Sequence, residues 1–556
     1  MPDMADIASY NSGIPAVVRW VCDRLGLMQL FDQMLPWDDQ RCKLRPSTRL
    51  VAIIMAILFD RTALYRVEEL YEDHDVPLLF GAGVRAEDFN DDALGRALDK
   101  LTAAGAAKVF TSACAVALAR MGVDWSRLLS VHFDTTSVSV YGAYPNSSPN
   151  LRITYGHSKD GHPEQKQFCI GLLATKDGLP VLGAVLDGNA SDKTVNAEIL
   201  RTIGRLVSPE QLANLLYVAD SSLVTQSNLR VLNDLGMHFV SRAPSTFGFV
   251  DAVKDQAFEQ GAFQSVGALS PRRNAAHYWL SETRVDVDGR RYRAIVTYSD
   301  SLDARKRKTL DHDVQTEREN LEQGLRQLQR HPFACHADAV KAAEQTLASL
   351  KPRFWRVEFT VQTETRPLPR SRPGRPPKAE ERPVETVFRI ASKLSMNQDA
   401  YDEAARRAAT FVLISNDDVR SARELLSNYK DQQTANEIPF RVIKSLPVAP
   451  VFFKRPERVE AFAWLALIAY LVYAAMQYLV RQALAQTHQT LVTPGKRIET
   501  TPTARSIFDM LQRTRTIHHR TRPSHRTMFC TNPHVRHLLR LLDCPESIFT
   551  TVPDSS

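Results

Sequence analysis

The sequence predicts an α/β protein with a mixed sheet, interrupted by an α+β insertion and preceded by a helical domain. Three observations support this fold class. Apolar residues recur with helical spacing through about residue 120, most strongly in RLVAIIMAILFDRT at 49–62. From about residue 128 the apolar runs shorten and become rich in the residue types that favour strands. This pattern stops near residue 245, and one more buried-strand run, TFVLISN, appears at 410–416.

We expect five segments along the 556-residue chain. They are a helical N-terminal domain (1–122), the first part of the core (123–245), an insertion with a β-hairpin, helices and a Pro/Arg-rich linker (246–395), the second part of the core with an acidic helix (396–485), and a basic C-terminal tail (486–556).

The composition is that of a folded, mildly basic protein. The net charge is +7 and the pI is about 8.9, which favours a polyanionic partner without proving one. The seven cysteines are scattered without a CxxC pair, which argues against a zinc module and a disulfide framework. The acidic, polar start MPDMADIASYNSG does not read as a secretory signal, so we expect a cytoplasmic protein.

One apolar segment leaves two interpretations open. Residues 461–480, AFAWLALIAYLVYAAMQYLV, carry no charge over about the length that spans a bilayer. The segment is either a single membrane span or a central helix that is buried on all sides. It is rich in alanine and contains Gln477, which favours the buried helix and no membrane.

The core begins with what we interpret as successive strands. The runs LLSVHFDTT (128–136), RITYGHSKD (152–160) and KQFCIGLLATKDGLPVLGAVLDG (166–188) have strand composition, and Lys-Asp-Gly at 176–178 signals a hairpin within the last run. A helix is predicted over 191–206, with Ser191 or Asp192 as its cap. The sequence therefore predicts a mixed sheet.

Two aspartates lie where a sheet gathers ligands. Asp134 lies inside the first strand, where aspartate is uncommon and therefore indicates a function. Asp220 ends the apolar run of a later strand that we expect to be parallel. If the two strands are neighbours, both carboxylates face one point and repel each other unless a cation lies between them. Carboxylate oxygens suit Mg²⁺ or Mn²⁺.

A third acid is expected on a long helix over 421–446. Tyr429, Gln433, Glu437 and Lys444 are offset by 4, 4 and 7 residues, which places them on one helix face. Glu437 could join the metal site, while Lys444 and Gln433 could meet a phosphate. Each of these residues, taken alone, could equally be a polar residue without a functional role. The prediction depends on the combination of two strand aspartates with an acid on a later helix.

These stretches resemble the DDE transposases of the IS4-like group, nearest to the IS1634-type elements. The resemblance lies in HFDTTSVSVYG, ITYGHSKDGHPEQKQFCIGLLATKDGLPVLG, YVADSSL, FVSRAP and YKDQQTANEIPFRVIK, and it covers most of 128–245 and 410–480. It implies an RNase H-like core with Asp134, Asp220 and Glu437 as the catalytic, metal-binding triad. Gln433 stands where the group usually has an arginine, and Tyr429 lies one residue farther from Glu437 than in the group's signature.

The resemblance also implies an activity and partners. The expected reaction is strand cleavage and strand transfer on double-stranded DNA, at terminal inverted repeats and target DNA, with two Mg²⁺ or Mn²⁺ ions and no covalent enzyme intermediate. We expect a homodimer in the DNA complex, a helical domain that serves DNA binding or dimerisation, and association with the bacterial nucleoid. The alternative is a DNA-binding protein of transposase descent that no longer cuts, which Gln433 and Pro439 motivate.

Basic clusters are candidates for binding DNA. They are the run at 305–308, the linker arginines and the tail RTRTIHHRTRPSHR at 513–526, and ordinary solvated charge is the alternative for each. Within the linker, SRPGRPPK (371–378) resembles an AT-hook, in which Arg375 would enter the minor groove; a plain flexible linker is the alternative.

Overall fold

The chain forms two compact units in the computed structural model. The first consists of Met1–Pro244, Val287–Arg290 and Ser415–Ser556, and the second of Ser245–Asp286 and Arg291–Ile414. The structure describes residues 7–38, 40, 42–60, 63–124, 128–144, 150–159, 161–270, 274–301, 304–368, 384–445, 453, 455–519 and 525–553.

The N-terminal part of the first unit is helical. Its elements are β1 (Ile7–Asn11), α1 (Gly13–Arg24), α2 (Leu27–Met34), α3 (Pro46–Phe59), α4 (Val67–Glu72), α5 (Val76–Phe80), α6 (Asp91–Ala103) and α7 (Ala106–Arg120). Helix α3 begins with a proline, which suits a first helical turn, and is buried along almost its whole length. The Asn90 side chain caps α6 by accepting a hydrogen bond from the Ala93 amide at 3.0 Å.

The first unit also contains a five-stranded mixed sheet. The chain runs through β2 (Ser130–Val140), β3 (Lys166–Thr175), β4 (Pro180–Leu186), α8 (Asp192–Leu206), α9 (Pro209–Leu212), β5 (Leu216–Ala219), α10 (Gln226–Asp234) and β6 (His238–Arg242). The order of these strands is β4-β3-β2-β5-β6. β3 is antiparallel to β2 and β4, whereas β5 is parallel to β2 and β6.

The predicted strand at 152–160 is wrong. The three antiparallel strands are β2, β3 and β4, and Thr154 forms only an isolated bridge with Gln167. The physical reason is that β2 already pairs with β3 along its length and β4 pairs with β3 from Cys169 onwards, so the chain near Thr154 finds a free strand edge only at the start of β3.

The second unit is an α+β body. Its elements are α11 (Phe249–Gln260), β7 (Gln264–Ala268), β8 (His277–Val287), β9 (Arg290–Ser299), α12 (Ala304–Arg330), α13 (His336–Leu350), β10 (Trp355–Pro367), β11 (Val384–Met396), α14 (Gln398–Ala408) and β12 (Thr410–Ser415). The strands pair in the order β12-β9-β8-β7, and β10 forms a separate antiparallel ribbon with β11. Leucines of α12 pack with α13 and β11 in one hydrophobic cluster.

The rest of the first unit is mainly helical. It contains α15 (Ala422–Gln432), a π-helical turn (Gln433–Glu437), α16 (Ile438–Ser445), α17 (Pro456–Thr487), β13 (Leu491–Thr493), β14 (Arg497–Glu499), α18 (Ala504–Leu511), β15 (Thr514–His519), β16 (Arg526–Cys530) and α19 (Val535–Leu541). β15 lies between β1 and β16, so the two ends of the chain share a small sheet.

Helix α17 contains the apolar segment with two interpretations. It is long and apolar enough to cross a membrane, but 89% of its most apolar window is buried inside the protein. The bent pair α6 and α7, at 85° to each other, passes the same test of length and composition only when the two helices are taken together. α17 contacts α3, α6, α7 and β4, and the Tyr470 hydroxyl donates a hydrogen bond to the Gly178 carbonyl at 2.9 Å. These contacts favour a core helix that supports the β3–β4 hairpin.

Candidate functional site

Asp134 and Asp220 lie side by side on neighbouring parallel strands. β2 and β5 pair from Ser130 opposite Leu216 to Phe133 opposite Ala219. Asp134 is the next residue of β2, and Asp220 directly follows the last residue of β5 with extended backbone, so the two residues continue this register. The two strands are therefore neighbours, as the sequence prediction requires, and the role of the two acids stays a prediction.

Local hydrogen bonds fix both aspartates. The Thr135 amide donates to Oδ1 of Asp134 at 2.7 Å. The carboxylate of Asp220 accepts the amide of Ser222 at 3.0 Å and its hydroxyl at 2.5 Å, and the Asp220 carbonyl accepts the Ser241 hydroxyl at 2.7 Å. Both side chains are thus held in place at the carboxyl end of β5 before any ligand binds.

Burial and neighbouring acids make the negative charge of Asp134 costly. Burial raises the pKa of Asp134 to about 7, Lys159 opposes this rise, and the carboxylates of Asp220 and Asp192 add to it. A carboxylate in this situation gains more than an exposed one from a nearby cation. The site therefore has the electrostatics of a cation-binding position.

The cation that faces Asp134 in this structure is the ammonium group of Lys159. It donates to the Thr135 carbonyl at 2.9 Å and to the Thr135 hydroxyl at 2.8 Å, and it lies 3.2 Å from Oδ2 of Asp192. The Thr135 hydroxyl also donates to Oδ1 of Asp192 at 2.6 Å. Oδ1 of Asp134 is 3.9 Å from the ammonium nitrogen, an ion-pair distance rather than a hydrogen bond.

Tyr429 of α15 connects the aspartates with Glu437. Burial raises the pKa of Tyr429 to about 12; Arg242 at the end of β6 lowers it, and Asp220, Asp134 and Glu437 raise it. All three predicted acids therefore raise the pKa of the same phenol. Glu437 itself is solvent-exposed and also acts on Lys430 of the same helix.

The predicted single regular helix over 421–446 needs a correction. The chain is helical from Ala422 to Ser445, but Gln433–Glu437 forms a π-turn, in which the Ile438 amide donates to the carbonyl of Gln433 five residues earlier. Pro439 follows immediately, has no amide hydrogen, and would place its ring against the carbonyl of Ala435 in a regular α-helix. The wider turn relieves that conflict.

The π-turn explains why Tyr429 is one residue too far from Glu437. In a regular α-helix, seven residues turn through roughly 700°, close to two full turns, whereas eight residues turn through roughly 800°. A π-turn takes up one extra residue. The eight-residue separation from Tyr429 to Glu437 therefore gives nearly the relative orientation of a seven-residue α-helical separation.

Two amides anchor this turn to the sheet. Asn436 is completely buried, and its Nδ2 donates to the carbonyls of Leu172 at 2.9 Å and His132 at 3.3 Å. Nε2 of Gln432 donates to the Phe133 carbonyl at 3.4 Å. The turn that carries Glu437 thus has a fixed register against β2 and β3, beside Asp134.

The other predicted residues are distributed unevenly. Lys444 lies on α16, half-buried, and lowers the pKa of the Cys169 thiol together with Lys159, against the larger effect of burial. Gln433 is exposed to solvent, and Arg375 lies outside the described residues. Within the described ranges, no three side chains of His, Cys, Asp or Glu are grouped closely enough to hold a metal ion. The metal site consequently stays a prediction.

The sequence interpretation missed Lys159, Asp192 and Arg242 as members of this site. Asp192 was interpreted only as a helix cap, although its carboxylate reaches Thr135. Lys159 lies in the segment wrongly predicted as a strand, and Arg242 ends β6. The available signal was Lys159 inside the stretch that carries the resemblance, in a loop with two glycines and two histidines.

The π-turn leads to a prediction that compares two length variants. In a Pro439→Ala background, where no proline ring meets the Ala435 carbonyl, deleting Thr434, an exposed residue of the turn, should convert the π-turn to an α-turn and change the free energy of unfolding by less than about 1 kcal/mol. Inserting one alanine after Thr434 should cost several times more, because Asn436 then leaves its carbonyl partners or Glu437 rotates by roughly 100°. Urea unfolding of both variants measures this; equal losses would contradict the account.

Comparisons with known proteins give limited matches. Residues 11–115 match a family model described as "Domain of unknown function (DUF4277)", a domain found in transposases. No curated protein matches. Among solved structures, the cryo-EM structure of a piggyBac transposase synaptic complex with hairpin DNA aligns with a TM-score of 0.38 and 7% identity, over 90% of this chain and 81% of that chain. The domain match covers less than half of the chain, and the structural likeness is too low to support a functional argument.

Proposed function

We propose that the chain is a DNA transposase of the DDE type that binds the ends of an insertion sequence and catalyses strand cleavage and strand transfer. The observation that carries the proposal is the placement of Asp134 on β2 next to the end of the parallel strand β5, which Asp220 directly follows. Glu437, which lies on the π-turn, raises the pKa of Tyr429, as both aspartates do. Two acids that come from adjacent strands, as Asp134 and Asp220 do, suit a site that handles a polyanionic substrate together with cations.

The fold supports the same proposal. The five-stranded mixed sheet, with three antiparallel strands followed by two parallel ones, suits an RNase H-like core. The second compact unit follows β6, before the helix that carries Glu437, where the resemblance implies an insertion. The match of residues 11–115 to a domain found in transposases agrees with this interpretation. The IS4-like, IS1634-type assignment remains part of the proposal.

The residues present suit divalent metal ions in their donor chemistry. Asp134 is a partly buried carboxylate whose pKa is raised by the Asp220 carboxylate, and its charge is opposed by the lysine ammonium at 3.9 Å. Oxygen donors of this kind match Mg²⁺ or Mn²⁺. Asp134, Asp220 and Glu437 would hold the ions. Two such ions supply an activated water or 3′-hydroxyl and charge stabilisation for the leaving oxygen.

The protein's own side chains have separate tasks in this proposal. Asp220, held by Ser222, and Asp134, held by Thr135, keep the carboxylates at fixed positions. The phenol of Tyr429 stays protonated at neutral pH, because burial raises its pKa to about 12. Lys444 would offset phosphate charge on the DNA, and Gln433 would contact the DNA from the exposed side of the turn.

Exposed basic residues would bind the DNA backbone. Arg305, Arg307 and Lys308 are exposed at the start of α12, and Arg513 and Arg515 are exposed at β15. Such contacts give affinity that is independent of sequence and falls steeply with salt. We propose double-stranded DNA as the partner, with terminal inverted repeats and target DNA, and a homodimer in the complex, because two ends must be processed together.

A cleavage assay tests the proposal. The substrate is double-stranded DNA from either side of the reading frame, carrying its terminal inverted repeats, and the cofactor is Mn²⁺. We expect nicking at the repeat ends with Mn²⁺ and none with EDTA, because the paired carboxylates require a cation to engage a phosphate. Repeat DNA with a scrambled terminal sequence is the matched control.

The second candidate is a DNA-binding protein of transposase descent that no longer cuts. Gln433 favours this second function, because it is exposed and stands in the place of an arginine. Its neutral amide cannot form the charge-assisted hydrogen bonds that an arginine forms with a phosphate. A folded protein that binds the repeat ends but leaves them intact in Mn²⁺ would establish this second function and reject the first.

A further inference from the structure

We propose that Lys159 is the internal counter-ion of the acidic site. It positions Asp134 through Thr135 and neutralises Asp134 and Asp192 in the metal-free protein, so that a divalent cation binds in competition with its ammonium group. The inference rests on the proposed function for the identity of the site and adds a positioning residue to it.

The contacts of the ammonium group carry the first step. A lysine ammonium has three N–H donors, and here the Thr135 carbonyl, the Thr135 hydroxyl and Oδ2 of Asp192 lie within hydrogen-bond distance. Asp134 lies just outside hydrogen-bond range at 3.9 Å and interacts through charge. Lys159 therefore fixes Thr135, the residue that follows Asp134, and offsets the charge of Asp134 at the same time.

The loop that carries Lys159 is itself attached to β2. The Lys159 amide donates to the Ser137 hydroxyl at 2.8 Å, so the main chain and the side chain of this residue are both tied to one strand. Lys159 and Asp192 come from the segments before β3 and after β4, and Thr135 from β2. Three segments of the chain thus meet at the position that the ammonium occupies.

Competition with a metal follows from the charges. The side chains of Lys159 and Asp192 are about one-third exposed, at 34% and 33%, so solvent and ions can reach the pair. A divalent cation that approaches Asp134 is repelled by the Lys159 ammonium, which already interacts with Asp134 and Asp192. A purely structural lysine would instead support the loop to the same extent with and without metal.

The test uses the full chain and Mn²⁺ alone as the probe. Calorimetric titration of Lys159→Met should give Asp134-dependent Mn²⁺ binding that is roughly tenfold or more tighter than in the unmodified protein, because a like charge near the site is removed. Lys159→Arg keeps the charge and should stay near the unmodified affinity. Lys166→Met is the matched control, since Lys166 contacts Ala143 and Tyr155 rather than the acids. Unchanged or weaker Mn²⁺ binding by Lys159→Met would overturn the competition.

A double-mutant cycle in EDTA tests the counter-ion role without metal. Lys159→Met should lower the thermal midpoint, and adding Asp134→Asn should restore part of the loss, because the uncompensated charge disappears. A loss that Asp134→Asn leaves unaltered would overturn the counter-ion role. If the unmodified protein and Asp134→Asn bind Mn²⁺ alike, the metal site of the proposed function and the competition both fail, and the cycle alone then decides the counter-ion role.

Discussion

Asp134→Asn should lower strand cleavage by roughly three orders of magnitude or more, because it removes a carboxylate that would hold the metal ions in the proposed function. Binding of repeat-end DNA should change little, since it depends on many separate phosphate contacts. The measurement is a Mn²⁺-dependent nicking assay run beside a DNA-binding titration on the same preparation.

The structure makes this substitution a clean one. Asparagine keeps an oxygen to accept the Thr135 amide, which bonds Oδ1 of Asp134 at 2.7 Å. The raised pKa of Asp134 means that its ionised form opposes folding at neutral pH, so replacing the charge with a neutral amide should leave the thermal midpoint equal or higher. Loss of cleavage can then be separated from unfolding.

Asp234→Asn is the matched control for this experiment. Asp234 is an exposed residue at the end of α10 in the same compact unit, and the variant should cleave at the unmodified rate. Normal cleavage by Asp134→Asn would show that a different acid serves the reaction, and the proposed arrangement of the site would be wrong.

The sheet that carries the site was predictable because its signals are local. The continuous apolar run before Asp220 indicated a strand covered on both faces, and β5 forms there at Leu216–Ala219. The Lys-Asp-Gly hairpin signal was also correct, since Gly178 adopts a φ of +81° in the β3–β4 turn. Composition and turn chemistry at short range determined these elements.

The π-turn and the Lys159 contacts were not predictable from those signals. A constant period of 3.6 residues treats the whole acidic helix as uniform, and only Pro439 and the one-residue displacement of Tyr429 indicated otherwise. Lys159 reaches partners 24 and 33 residues away, at Thr135 and Asp192. Periodicity contains no information on where such a loop returns to the sheet, so this part of the site depends on tertiary structure.

The second large effect concerns stability, at the ion pair of Asp75 and Arg526. Arg526 at the start of β16 is 8% exposed, and its Nε and Nη2 contact the two carboxylate oxygens of Asp75 at 2.7 and 3.1 Å. Asp75 is 4% exposed and also caps α5 through the Leu78 amide. The pair joins the C-terminal strand to the N-terminal helices within the first unit.

Arg526→Met should therefore lower the free energy of unfolding by about 3–5 kcal/mol, because it leaves the Asp75 carboxylate buried without its counter-charge. Adding Asp75→Asn should recover part of this loss, since asparagine can still cap α5 and carries no charge. Urea unfolding followed by circular dichroism gives both values. Arg505→Met is the matched control: Arg505 forms an exposed pair with Asp509 at 3.1 Å, and its loss should cost at most about 1 kcal/mol. Similar losses for the two single variants would mean that the Asp75–Arg526 pair contributes no more to the free energy of unfolding than an exposed pair. The C-terminal strand would then be held by its apolar contacts instead.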